Sequence, residues 1–321
     1  MRKSIIITCI VFYCLIQLNS CNDDVFVKEL KTSDTELQMN GNGDSATIYI
    51  NTSDWAVTAI YDTENPMTNI FYGIEYDENG HALEKYKISL LQNRISKGKV
   101  IYTGEDNGFT ISRKDDNTLG VSVDENILDS TFNFTIVVSD QFKNIPIKIR
   151  QSASRGYSLD SITYKYLNNS FHKEWNENKI KINNDKNSDL EYNVYIFSGE
   201  YQEILFSSKD IKAFSYIRKT KINIPIGMKD NALQFSTQKN YYNSKKQECP
   251  LPFEDIKKTL TIPAGMSTIR IVLEYDYFEA EYTMYIHNKE TGEKKEVKGY
   301  FFSKMPAKDG YIIFLNDKMI I

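Results

Sequence analysis

The chain has 321 residues, of which 39 are basic and 43 acidic, giving a net charge of −4 at neutral pH. This acidic balance argues against a nucleic-acid-binding surface, which needs a clustered excess of Lys and Arg, and against electrostatic adhesion to anionic lipid. The length is enough for two ordinary domains. The 22 tyrosines and 17 phenylalanines suit pleated surfaces, and few segments repeat apolar residues at helical spacing, so an all-β fold is predicted.

The N-terminal segment has the pattern of a secretory signal peptide. Arg2 and Lys3 precede an apolar run over residues 5–16, and the small residue Ser20 follows. The run is shorter than the roughly 20 apolar residues that a bilayer-spanning helix needs. We therefore predict that residues 1–20 are a cleaved signal peptide and not an anchor helix.

Cys21 is the predicted site of lipid attachment. Leu18, Ser20 and Cys21 resemble the bacterial lipobox, in which the cysteine thiol takes a diacylglyceryl group and the chain is cut just before it. The resemblance implies anchoring to the outer membrane through acyl chains such as palmitate, because stable anchoring requires more than one chain. The next residues, Asp23 and Asp24, resemble export signals of surface lipoproteins in the Bacteroidetes. The alternative is an ordinary signal peptide with an incidental cysteine.

A polar tether over residues 21–36, with a first strand starting near Val25, is expected to lead into a β-sandwich. Apolar and polar residues alternate from Ser45, and again near residues 132–138 and 145–152. Short strands separated by turn residues are typical of a sandwich.

The same region resembles the BACON domain, an immunoglobulin-like module of Bacteroidetes surface proteins. The matching features are Trp55 after an Asn-Thr-Ser-Asp turn, Val121 and Val123 before Asn126, and a last strand that ends in Ile-Arg-Gln-Ser-Ala. The resemblance covers residues 37–154 and implies that Trp55 is a core residue. Residues 61–107 are longer than the module requires, and we interpret them as one or two added strands.

Residues 151–156 are small and polar, so they predict a linker, followed by a second sandwich over residues 155–321. Within it, the odd positions from Ile269 to Tyr277 share one face. Tyr282, Met284 and Ile286 are interpreted as a returning strand, and residues 288–292 as a turn that uses Gly292. Further strands are predicted at 296–302 and 310–315, and one helical turn at 253–258.

Residues that could support catalysis or metal binding are sparse. The three histidines have no metal-ligand spacing, and no nucleophile elbow, phosphate-binding glycine loop or Cys-x-x-Cys pair occurs. After loss of the signal peptide and acylation of Cys21, only Cys249 remains, which precludes an internal disulfide. The oxygen-rich residues 185–191 lack the glycine and glutamate of a calcium loop. We predict a non-enzyme without cofactor or metal.

The candidate ligand-binding residues are aromatic side chains among polar ones. Sugar rings stack on indole and phenol rings while their hydroxyls bond to Asn, Asp and Gln. The segment 171–178 is predicted to be an exposed binding loop. The alternative is that Trp175 is a core residue, since sandwiches routinely bury a tryptophan. The candidates are Trp175, Asn176 and His172 in this loop, and Tyr241 and Tyr242 as a second group.

Two functions of different classes follow. The first is non-catalytic binding of a glycan or glycoconjugate at the cell surface, which the family resemblance implies. The second is a structural or assembly role, as a spacer or fimbrial-type subunit that binds a protein partner by strand pairing. Glycan binding predicts exposed aromatic candidates grouped at one place, whereas assembly predicts an unprotected edge strand.

Overall fold

The structure is a computed structural model that describes residues 29–66, 71–87, 98–113, 115–167, 171–229 and 232–320. The predicted signal peptide, Cys21 and Val25 lie outside the described residues. The all-β prediction is confirmed, because the regular structure consists of strands and one four-residue helix.

The N-terminal half forms two sheets. The strands are β1 Glu36–Met39, β2 Asp44–Tyr49, β3 Ala56–Asp62, β4 Tyr72–Tyr76, β5 Ala82–Lys87, β6 Gly98–Thr103, β7 Gly108–Arg113, β8 Thr118–Val123, β9 Phe132–Ser139 and β10 Asn144–Gln151. One sheet has the order β1-β10-β9-β3 and the other β2-β8-β7-β6-β4-β5. Both sheets contribute to a single apolar core, in which the Phe109 and Phe134 rings stack 4.4 Å apart. Two sheets around one core constitute the expected sandwich.

Trp55 lies in this core, as the sequence predicts. It is buried, its indole Nε1 donates a hydrogen bond to the backbone oxygen of Asp116 (2.7 Å), and the Arg113 guanidinium lies 4.1 Å from its ring centre. The buried indole therefore has its one polar group satisfied.

The insertion at residues 61–107 contains more strands than predicted. Instead of one or two, β4, β5 and β6 join the six-stranded sheet. Gly98 shows how tightly β6 passes β4, because a Cβ atom there would lie 2.2 Å from the backbone oxygen of Tyr76, and its φ is +114°. The strands are only five or six residues long, so their alternation is too brief to distinguish them in sequence.

The C-terminal half is organised around two long strands. Its elements are β11 Tyr157–Tyr166, β12 His172–Asn184, β13 Leu190–Tyr195, β14 Gln202–Ser208, α1 Ala213–Tyr216, β15 Lys221–Lys229, β16 Ala232–Tyr241, β17 Gln247–Cys249, β18 Lys257–Ile262, β19 Gly265–Asn288, β20 Lys294–Leu315 and β21 Lys318–Met319. The main sheet has the order β11-β19-β20-β14-β17, with β12 also on β19 and β21 on β20. β13 pairs with β18, and β15 with β16.

The predicted returning strand at Tyr282 is wrong. β19 continues unbroken for 24 residues, and the chain reverses only at the predicted turn, where Gly292 has a φ of +72°. The error has a physical cause: the buried positions change from odd to even between Tyr275 and Phe278. From Tyr275 to Phe278 the residues of β19 keep consecutive pairing partners in β20, and from Tyr275 to Tyr277 also in β12. The two halves of the strand therefore bury opposite faces. This change of face resembles the start of a new strand in the sequence.

The strands predicted at 296–302 and 310–315 are likewise parts of one strand, β20. Tyr311 of β20 pairs with Leu273 of β19, whereas Pro306 pairs with Tyr275. The register of the two strands therefore shifts between these pairs. The predicted helical turn at 253–258 is absent among these described residues, and the short helix α1 occurs at Ala213–Tyr216 instead.

Two apolar cores flank the long sheet. One includes Phe278, Tyr282 and Met284 and is covered by α1 and β15. The other includes Ile269, Ile271 and Leu273 and is covered by β13 and β18. The covering elements thus lie on the faces that the alternation of β19 makes apolar.

Polar contacts join the two halves beside the predicted linker. The Tyr157 hydroxyl donates to Glu125 (2.7 Å), and Asn288 Nδ2 donates to both Glu125 (3.0 Å) and Asn42 (2.9 Å). Ile127, from the N-terminal half, belongs to the core that contains α1. The division of the chain near residue 154 stays a prediction.

The N-terminal core supports a stability prediction. Phe134 is fully buried and stacks on Phe109, so Phe134→Ala removes a ring and leaves a cavity. We expect the free energy of unfolding to fall by about 3–5 kcal/mol. Phe142→Ala is the control, because Phe142 is 67% exposed and its loss should change stability by less than about 0.5 kcal/mol. Chemical denaturation of both variants tests this, and equal effects would contradict the assigned core.

Candidate functional site

The predicted binding loop around Trp175 is a strand. β12 begins at His172 and pairs with β19 in regular antiparallel register. Residues 172–179 are all exposed, so no alternation of polar and apolar residues marks them as a strand in the sequence. The expectation of exposure is correct and the expectation of a loop is wrong.

Alternation along β12 separates the predicted site residues. Trp175 lies opposite Glu274, whereas His172 and Asn176 belong to the other face. The His172 ring stacks on Tyr277 with ring centres 4.6 Å apart. The structure therefore does not bring Trp175, His172 and Asn176 together into one site.

The second candidate pair is also divided. Tyr241 ends β16 with 48% of its surface exposed, and the Lys221 ammonium lies 4.8 Å from its ring centre. Tyr242 is buried, and its hydroxyl shares a 2.8 Å hydrogen bond with that of Tyr282. Burial raises the pKa of Tyr242 and keeps the phenol neutral. The assignment of Tyr242 to an exposed binding site is wrong, because the side chain belongs to the core.

Trp175 lines an open groove of about 840 Å³. We call this concavity the Trp175 groove. The polar side chains along it include Lys173, Glu274, Asp276 and Gln234. Apolar side chains, among them Met228 and Phe253, complete the lining. Half of the Trp175 surface is exposed, so the indole is available to a ligand. A mainly apolar surface with a few convergent polar groups is the usual composition of a small-molecule site.

The charges in the groove are unequally paired. Lys173 Nζ contacts Glu274 Oε1 closely and lies 3.8 Å from Asp276 Oδ1. Asp276 Oδ1 is buried and has no hydrogen-bond partner among the described residues. Burial raises the pKa of Asp276, and Lys173 opposes the shift. The hydrogen bond to Glu274 raises the pKa of Lys173 and keeps its ammonium charged. An acceptor without a hydrogen bond, in the same groove as an exposed indole, suits a ligand with both hydroxyl groups and an apolar face.

Sequence reasoning missed the acidic residues of the groove. Glu274 and Asp276 alternate with the buried residues Leu273 and Tyr275. That alternation was a usable signal, because it marks a strand face that a core does not cover. No sequence pattern indicated that Gln234 and Phe253 line the groove, because their segments are distant in sequence from β12 and β19.

The described ranges contain neither a metal-binding cluster nor a membrane-spanning helix. No cluster of three or more His, Cys, Asp or Glu side chains is positioned to hold a metal ion there. The same residues contain no helix with the length and apolarity needed to cross a membrane.

No family model matches the sequence, and no curated protein matches it. Among solved structures, the chain is similar to an NMR structure of a protein from Bacteroides thetaiotaomicron, at 17% identity over 42% of this chain and 95% of that one, with a TM-score of 0.26. It is similar to a lamprey immune protein, at 10% identity over 89% and 91% of the two chains and a TM-score of 0.32. It is also similar to the toxin parasporin-2 from Bacillus thuringiensis, at 10% identity over 60% of this chain and 81% of that one, with a TM-score of 0.24. With such low TM-scores, these similarities assign no function to this chain.

The raised pKa of Asp276 leads to a stability prediction. Because the folded protein disfavours the charged carboxylate, Asp276→Asn should increase the free energy of unfolding at neutral pH. The difference should shrink as the pH falls through the raised pKa, since the wild-type side chain then becomes neutral. Thermal unfolding from pH 7 to pH 3 measures this effect. Glu29→Gln is a control of opposite sign, because its pKa is lowered by Lys143. A less stable Asp276→Asn variant at pH 7 would show that the carboxylate is fully compensated.

Proposed function

We propose that this chain is a lipid-anchored protein of the bacterial outer membrane that binds a glycan in the Trp175 groove without cleaving it. One observation carries the proposal: the half-exposed indole of Trp175 lies in the same groove as the buried Asp276 Oδ1, which accepts no hydrogen bond from the described residues. A sugar ring offers a C–H face to the indole and hydroxyl donors to the carboxylate.

The polar groups of the groove can pair with a hydroxyl group both as a donor and as an acceptor. Asp276 and Glu274 accept hydrogen bonds, Lys173 donates them, and Gln234 does both. Burying the hydroxyls of a ligand is favourable only where such partners are present. The groove is open to solvent, so a sugar bound in it can continue into a longer chain.

A binding role without cleavage agrees with the position of Cys249, the one cysteine among the described residues. Cys249 does not line the groove and is buried, and burial raises its thiol pKa. An activated thiol requires a lowered pKa instead.

The anchor is the second part of the proposal. Acylated Cys21, followed by the polar residues Asn22, Asp23 and Asp24, would attach the protein to the membrane and hold the groove away from the lipid. The tether predicted to reach residue 36 is shorter, because Leu30 is already buried in the N-terminal core. The acidic residues Asp23 and Asp24 support placement at the outer surface, where extracellular glycans are accessible. Attachment would depend on the acyl chains, each contributing about 0.8 kcal/mol per buried methylene.

A glycan array with the purified chain tests the groove. We expect Trp175→Ala to weaken binding of the selected glycan at least tenfold, which corresponds to about 1.4 kcal/mol. Trp175→Phe should retain part of the affinity, because a smaller ring still stacks. Tyr241→Ala is the matched control, as it removes an exposed aromatic outside the groove. Unchanged binding in Trp175→Ala would place the site elsewhere.

Lipidation has its own test. Cys21→Ala should abolish labelling with a radioactive fatty acid and move the protein from the membrane fraction to the soluble fraction, because no thiol remains for acylation. Cys249→Ala is the control and should remain labelled. A Cys21→Ala protein that stays labelled would refute the anchor.

The alternative, an assembly role through strand pairing, is favoured by one observation. β12 pairs only with β19 among the described strands, so residues 172–179 present an exposed edge. Four of these eight residues are charged, and charged side chains are a common protection of edges against pairing. No binding to any glycan, together with concentration-dependent self-association in sedimentation, would support assembly instead.

A further inference from the structure

The proposed glycan site does not use the outer edge of β12. This strand is 13 residues long, from His172 to Asn184, and it pairs with β19 on one side. Among the described strands it has no partner on the other side. Residues 172–179 are all exposed, and so are Lys181 and Asn183. The outer backbone groups of β12 are therefore accessible, and an antiparallel strand would satisfy them.

The charges on β12 restrict which strand can pair with it. Charged side chains protect an edge against most strands, but a strand that sets opposite charges against them is stabilised. β12 carries both signs at close spacing, so its own sequence is a candidate for such a partner. The charged residues are Lys173, Glu174, Glu177, Lys179 and Lys181.

A second copy of β12 fits in one register. A two-fold axis perpendicular to the sheet sets one residue opposite itself and pairs the others around it. Asn178 is the middle residue of β12, so an axis there overlaps the two strands over their full length. Glu177 then lies opposite Lys179 of the partner subunit, and Trp175 opposite Lys181 of the partner subunit. The symmetry repeats both pairs, and no like charges lie opposite each other.

The side chains of the central pair already lie close together on one face. Glu177 Oε1 is 2.8 Å from Lys179 Nζ of the same strand, and Glu177 Oε2 accepts a hydrogen bond from Arg270 (3.0 Å). Pairing at Asn178 would bring two such groups together with alternating signs. Opposite charges on neighbouring strands stabilise the pair.

The neighbouring registers are unfavourable. An axis at Glu177 sets this carboxylate opposite itself and Lys173 opposite Lys181. An axis at Lys179 sets that ammonium opposite itself. Like charges directly opposite each other destabilise a strand pair. Axes further from the middle of β12 shorten the overlap, so the register at Asn178 is selected by both charge and length.

We propose that two copies of this chain associate by antiparallel pairing of their β12 strands about a two-fold axis at Asn178. The pair is closed, because each copy uses its own β12 edge, and it therefore differs from the open chain of a fimbrial-type subunit. Alternation places Lys181 of the partner subunit on the same face as Trp175, which is the face of the Trp175 groove. Each copy thus adds an ammonium beside the indole of the other, where a cation is attracted to the ring.

Disulfide cross-linking tests the register in the full chain with its four cysteines replaced by alanine. Asn178→Cys sets two thiols opposite each other across the axis, with Cα atoms about 4.5–5.5 Å apart, which a disulfide can span. Oxidation with diamide should therefore give a covalent dimer. Asn176→Cys is the matched control on the same face of the same strand. Its two copies are separated by four residues along the strands, about 13 Å, and should not cross-link.

Charge reversal tests the central pairs in the same cysteine-free background. Glu177→Lys alone and Lys179→Glu alone each set like charges opposite each other, so each should weaken dimerisation at least tenfold in sedimentation equilibrium. The double variant restores opposite charges and should recover the association of the parent chain. This recovery separates a lost contact from a loss of folding.

Several results would overturn the proposal. They are a parent chain that stays monomeric at every concentration, an Asn178→Cys variant that cross-links no better than Asn176→Cys, and a double variant that associates no better than the single variants. Dimerisation that is unchanged in both single variants would place the contact on another surface. None of these measurements involves a sugar, so their outcome is separate from that of the glycan array.

Discussion

The C-terminal half depends on one constraint, the antiparallel pairing of β19 with β20. Every other strand of the main sheet attaches to one of these two, directly or through β14. Because side chains alternate along a strand, the apolar positions of β19 decide which face each core occupies. The buried positions change parity between Tyr275 and Phe278, so one core forms on each face. The length of β19 allows both cores to share one strand, although its pairing with β20 shifts between Leu273 and Tyr275.

The Trp175 groove lies where this change of face occurs. Glu274 and Asp276 are on the face opposite the Leu273 core, next to the position where the Phe278 core begins. A carboxylate is tolerated there because no core covers it completely, although Asp276 is buried enough for its pKa to rise. Lys173 and Trp175 reach the same place from β12, because their pairing partners are Asp276 and Glu274. The groove is thus a consequence of how the sheet divides its cores.

The proposed glycan site combines an indole surface with mixed donors and acceptors, which suits neutral, hydroxyl-rich ligands. In the N-terminal half, by contrast, the aromatic side chains Trp55, Phe109 and Phe134 are buried in the core and offer no surface to a ligand. The polar contacts of Glu125 with Tyr157 and Asn288 connect the two halves of the chain.

The sequence by itself determined the features that depend on local pattern. The all-β fold and the turn at Gly292 follow from composition, short-range alternation and a position that requires positive φ. The buried position of Trp55 was expected from the resemblance to the BACON domain. The exposure of Trp175 was not decided by the sequence, because sandwiches routinely bury a tryptophan even where polar residues surround it in the chain. Only the tertiary structure decided which neighbours Trp175 has. It separated the indole from His172 and Asn176, placed Tyr242 in the core, and brought Asp276 to the groove. The physical reason is that strand alternation divides neighbouring residues between two faces, while long-range pairing sets residues far apart in sequence side by side.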